Sequence, residues 1–150
     1  MRSAYAIGWD EEFFDTSVLV ASFWRGHRDH EASLRLVAAA NKRVSACALH
    51  TLAEVYACMT ALPVKDIIPP DQVLLFVQEV RDRCTVVTLN EDEYCDTILL
   101  AAERGFTSGR IYDAVLLRCA AKVKAGVIYT WNVKHFKAID PQQADKIETP

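Results

Sequence analysis

The sequence predicts an α/β fold: a three-layer α/β/α sandwich around a central, mainly parallel sheet of about five strands. Short apolar runs alternate with longer segments of helical periodicity, which is the pattern of a parallel sheet covered on both faces. The chain has 150 residues, 51% of them hydrophobic and 25% charged. That is enough for one domain to bury a core without disulfides or structural metal.

The first strand is Glu12-Phe13-Phe14, ending at Asp15, after an N-terminal extension over residues 1–11. The remaining residues, 12–150, read as a single domain. Helical patterns follow at Ser17–Trp24 and, past Gly26, at about Asp29–Ala40, where Leu34, Val37 and Ala38 fall at helical spacing with Leu36 beside them. Arg43–Ala48 is a candidate second strand. Thr51–Leu62 is a clearer helix, with Leu52, Val55, Tyr56 and Met59 three or four apart. Pro63 and Pro69-Pro70 interrupt it and lead into a helix over about Asp71–Arg83. Thr85–Leu89 is a strand. Asn90 is placed as an N-cap, with Glu91, Asp92 and Glu93 in the first turn where the helix dipole favours acids, and that helix ends near Gly105. Arg110–Ala125 is the next helix, with Gly126 as its C-cap. Val127–Thr130 is the last clear strand, and Lys146–Glu148 a weaker one.

Composition excludes several classes. No apolar run approaches the roughly 20 residues that span a bilayer, and Met1–Glu12 lacks the cationic and apolar regions of a secretory signal. The five cysteines are scattered, with no Cys-x-x-Cys pair, so neither a zinc site nor a disulfide framework is expected. A reducing cytoplasm suits them. The net charge of −3 argues against a broad basic face for non-specific nucleic-acid binding. It is compatible with a nucleic-acid enzyme whose site is crowded with carboxylates.

Ligands of open parallel sheets bind beyond the carboxyl ends of the strands, which draws attention to Asp15 and to the residues after Thr130. Asp15-Thr16-Ser17 has two readings: a helix cap, or a carboxylate fixed at a strand end to bind a cation. Glu54 is either a solvated surface acid or an acid pointed into a cleft, because Ala57, Cys58 and Ala61 beside it would let the helix approach the sheet closely. Asp113 shares a face with Leu116, Leu117 and Ala120. It is either a first-turn acid behind an N-cap at Ser108 or a carboxylate that must be paired or metal-bound to sit there. Three acids on three elements would suit Mg²⁺ or Mn²⁺, which take oxygen ligands and can drive phosphodiester hydrolysis without a side-chain nucleophile.

In this order and separation, Phe14-Asp15-Thr16-Ser17, Leu52-Ala53-Glu54-Val55, Tyr112-Asp113-Ala114 and Gly126–Phe136 resemble the PIN domain. The resemblance spans about Phe13–Phe136. It implies a Mg²⁺- or Mn²⁺-dependent endoribonuclease in which Asp15, Glu54 and Asp113 are catalytic and metal-binding. The family's fourth acidic position falls at Asn132, whose amide oxygen can ligate a cation but brings no charge. Ser17 or Thr130 would orient a water or ligand through a hydroxyl. Small stand-alone members of this family resemble VapC toxins, which pair with a cognate antitoxin and commonly dimerise. Arg25 and Arg28, near His27 and His30, and Lys134, near His135 and Lys137, are candidates to meet an RNA backbone. The alternative is a PIN-fold module that binds RNA or protein but turns over weakly or not at all because of Asn132.

Overall fold

The computed structural model describes residues 11–63, 65 and 67–150. Residues 1–10 of the expected extension lie outside the described residues. Glu11, its last residue, is buried, and its carbonyl accepts the N–H groups of Gly126 and Val127 at 2.8 and 3.1 Å.

Five strands form one sheet: β1 (Glu12–Phe14), β2 (Ser45–Ala48), β3 (Thr85–Val87), β4 (Val127–Tyr129) and β5 (Ile147–Glu148). Their spatial order is β3-β2-β1-β4-β5, and every pairing is parallel, with Phe13 opposite both Ala46 and Ile128. The connections from β1 to β2 and from β2 to β3 step toward one edge. The chain then returns past β1 to β4, and the direction of travel reverses. Right-handed crossovers therefore place the helices before β3 on one face and those after it on the other.

The first face carries α1 (Thr16–Phe23), α2 (His30–Ala38), α3 (Leu49–Thr60) and α4 (Pro70–Arg83). The second carries α5 (Glu91–Glu103), α6 (Arg110–Lys122) and α7 (Val133–Ile139), followed by a 3-10 turn at Pro141–Lys146. Side-chain alternation along the strands divides the core accordingly. Phe13, Ala46, Ala48 and Ile128 pack with Leu116, Leu117 and Phe136, whereas Phe14 and Cys47 pack with Val18, Leu19, Val55 and Met59. Phe13 and Phe14 are fully buried, each contributing roughly 2–3 kcal/mol of apolar transfer energy. The central strand is thus anchored on both sides immediately before Asp15.

Several expectations change at element ends. Asn90 accepts from the Glu93 N–H at 2.9 Å while Glu93 accepts from the Asn90 N–H at 2.8 Å, completing the expected cap. Gly126 is not the C-cap of α6: the helix ends at Lys122, Lys124 takes the left-handed conformation (φ 55°), and Gly126 is spent on pairing with Glu11. Gly105 does adopt positive φ after α5. Ser108 does not cap α6, because it lies at φ 54° and no side chain caps that helix. Leu34 and Tyr56, expected on buried stripes, are 42% exposed, while Ser33 and Val37 hold α2 to the core. The segment after Thr130 contains α7, whose Phe136 and Ile139 supply one buried face until Pro141. The cysteines are all free, with Cys47, Cys84 and Cys119 buried. Among the described residues, no helix is long and apolar enough to cross a membrane.

Candidate active site

The reversal of strand order opens a crevice where β1 and β4 end side by side, the position where open parallel sheets bind ligands. Asp15 follows β1 directly, its N–H donating to the Tyr129 carbonyl at 3.0 Å, and the residue is only 3% exposed. It stands at the N-cap position of α1, but its side chain makes no capping bond. The Ser17 and Thr130 hydroxyls donate instead to its Oδ2 at 2.7 and 2.8 Å. These hydroxyls also grip the turn after β4: the Trp131 N–H donates to Ser17 Oγ, and the Asn132 N–H to Thr130 Oγ1, both at 3.0 Å. Trp131 is fixed in turn by its indole N–H to Ser33 Oγ at 2.9 Å.

Glu54 comes from the second turn of α3. Its Oε1 accepts from Thr16 Oγ1 at 3.2 Å and lies 3.6 Å from His50 Nε2, one helical turn earlier. Thr16 Oγ1 also lies 3.3 Å from Thr51 Oγ1, so the start of α1 is tied to α3 as well as to β4. Asp113 comes from the first turn of α6, with Oδ2 2.9 Å from His135 Nε2 of α7.

The three acids lie close enough to act on one another electrostatically. Burial raises the Asp15 carboxyl above its ordinary value, against the hydroxyls of Ser17 and Thr130 and the adjacent backbone N–H groups. Burial raises Glu54 to about 7, opposed by the Thr16 hydroxyl and reinforced by the charges of Asp15 and Asp113. Asp113 is raised by burial and by Asp15, and held back by His135 and Arg110. The Cys58 thiol nearby is raised by burial and then by the charges of Glu54 and Asp15. Perturbed groups gathered at one place make it a candidate functional site.

Carboxylate oxygens that repel one another fit a hard divalent cation. As they stand, no three His, Cys, Asp or Glu side chains among the described residues form a compact ligand cluster.

Asn132 is exposed at the start of α7 and makes no capping bond with its side chain. With Trp131, Val133, Lys134, His135 and Ala138 it lines a cleft of about 470 Å³ beside Asp113. Lys134 therefore borders the site. Arg25 and Arg28 do not: they follow the far end of α1, which at eight residues is about 12 Å long, and Arg28 pairs with Asp29 at 3.1 Å. Sequence reasoning did not find Thr16 and His135 as partners of the acids. Thr16 was legible only as part of a capping triplet. His135 lies 22 residues from Asp113 and is brought to it by α7 packing.

The family model of the PIN domain matches residues 13–140. The chain belongs to the PIN-domain family. Ribonuclease VapC40 of Mycobacterium tuberculosis, in two strains, is 31% identical over 134 residues, covering 89% of this chain and 93% of that protein. A chain of VapBC2 from Rickettsia felis, solved bound to a DNA fragment from their promoter, matches with a TM-score of 0.61. It is 18% identical and covers 92% of this PIN chain and 97% of its own, a likeness that bears on fold alone.

Proposed function

We propose that this PIN protein is a VapC-type toxin: an endoribonuclease that hydrolyses RNA phosphodiester bonds with Mg²⁺ or Mn²⁺. The observation that carries the reading is the convergence of Asp15, Glu54 and Asp113 from three elements onto one crevice, close enough for each charge to act on another. The similarity to a protein named as a VapC ribonuclease supports the same conclusion. Asp15, Glu54 and Asp113 would hold the ion, with the Asn132 amide oxygen as the uncharged fourth donor. Such an ion would offset charge on the phosphoryl oxygens and lower the cost of forming an attacking hydroxide.

The chain's own residues supply position and electrostatics. Ser17 and Thr130 hold Asp15 in one orientation, Thr16 does so for Glu54, and His135 braces Asp113. Lys134 draws the RNA backbone to the cleft. A cognate antitoxin and a second copy of the chain are the proposed protein partners, and the cytoplasm the proposed location. Exposed apolar side chains on α3, α4 and α5, such as Tyr56, Leu75 and Leu99, support protein contacts.

The test is cleavage of a mixed RNA pool with Mg²⁺, with Mn²⁺ and with EDTA, beside Asp113→Asn. Cleavage is expected to need metal and to fall at least about a hundredfold in the variant. Undiminished cleavage by Asp113→Asn would overturn the assignment. Asn132 favours a second reading, an RNA- or protein-binding module of weak activity. RNA binding by the folded protein without turnover in either metal would select it.

A further inference from the structure

One aromatic pair beside the carboxylates has no part in holding them. Tyr112 immediately precedes Asp113 on α6, and His50 stands one turn before Glu54 on α3. Their rings stack with centroids 4.8 Å apart and planes at 21°. Tyr112 remains 47% exposed, so the stack leaves much of that side chain open to solvent at the rim of the crevice. The imidazole lies with its face on the tyrosine, while its Nε2, 3.6 Å from Glu54 Oε1, is beyond hydrogen-bond distance and has no hydrogen-bond partner among the described residues. His50 also lines a separate cleft with Leu49, Ala53, Tyr94 and Cys119, so the rim falls away beyond it. The result is a backed ring at the edge of an acidic site. A negatively charged crevice cannot attract RNA through its carboxylates, so a neutral π-surface beside it is a favourable place to grip a base.

We infer that Tyr112, backed by His50, is a nucleobase platform that stacks one unpaired base of the RNA next to the phosphodiester being cleaved. The inference rests on the nuclease reading and names the side chain that would grip the RNA at that nucleotide, since only an unpaired base has an open face to offer. Stacking tolerates every base, so the platform contributes grip rather than sequence choice.

The experiment compares wild type, Tyr112→Phe and Tyr112→Ala on a short single-stranded RNA. Binding is read by fluorescence anisotropy with Ca²⁺ present, and cleavage by KM and kcat with Mn²⁺. Tyr112→Ala is expected to weaken binding and raise KM by about tenfold, with a much smaller fall in kcat, while Tyr112→Phe stays near wild type. An abasic nucleotide at the stacked position should cost wild type the same factor and cost Tyr112→Ala nothing further. Thermal melts of each variant establish that it is folded. Equal RNA affinity of all three proteins overturns the platform, as does an alanine variant altered only in its self-association. The binding arm reads the platform even if no protein cleaves, and absence of cleavage by wild type counts against the nuclease reading alone.

Discussion

Replacing Glu54 by glutamine should make the metal-free protein more stable while removing its response to metal. The carboxyl is raised from 4.5 to about 7 in the folded chain, chiefly by burial and further by the charges of Asp15 and Asp113. On raising pH the unfolded chain therefore loses this proton first, and the folded state loses stability between about pH 4.5 and 7. The full displacement corresponds to roughly 3 kcal/mol. Because the side chain is 28% exposed, solvent screening reduces this to about 1–2 kcal/mol. Glutamine keeps an oxygen to accept from Thr16 and carries no charge. Urea unfolding in EDTA at about pH 8 should then show Glu54→Gln more stable by about 1–2 kcal/mol, or roughly 5 °C in a thermal melt, with the gap closing near pH 4. Added Mn²⁺ should raise the melting temperature of wild type and scarcely move the variant. A variant less stable than wild type at about pH 8 would show that Glu54 is not confined among like charges, and the electrostatic case for the site would fail.

Other outcomes test separate parts of the account. Thr130→Val keeps shape but removes a fully buried hydroxyl that serves Asp15 and the Asn132 N–H, and should cost about 1–3 kcal/mol in urea unfolding together with most of the cleavage rate. Asn132→Asp adds a fourth carboxylate; half-maximal cleavage should need less Mn²⁺, and stability in EDTA should fall. Asn90→Ala removes the capping box of α5, a helix that carries none of the three acids, and should destabilise by about 1 kcal/mol with the cleavage rate unchanged.

The layers and strands were legible because burial on both faces leaves a direct mark. Phe13-Phe14, Ala46–Ala48 and Val127–Tyr129 had to be covered from two sides, and the helical spacings between them supplied the cover. Asp15, Glu54 and Asp113 were legible as acids in costly surroundings, but their convergence followed only from their order along the chain. What stayed hidden depended on tertiary packing. Local preference favours Gly126 over Lys124 as the residue that turns left-handed, and the pairing of Gly126 with Glu11 overrides it. α7 is short and uncapped by any side chain, and it is ordered through Phe136 and Ile139 against the core. Arg25 and Arg28, candidates to meet an RNA backbone, follow the far end of α1, away from the three acids.

Thr16 and Ser17 differ by one position and face opposite neighbours. Thr16 reaches Glu54 on α3, and Ser17 reaches Asp15 and the turn after β4. The first turn of α1 thus works as a hub whose spokes leave at the angles that successive helical residues impose. A point substitution removes one spoke and leaves the others in place. Inserting or deleting a single residue between Asp15 and Val18 would rotate them all, uncoupling two of the acids from each other and from β4 while changing the composition hardly at all. The spacing from Asp15 to Val18 is therefore under tighter constraint than the chemistry of either hydroxyl between them.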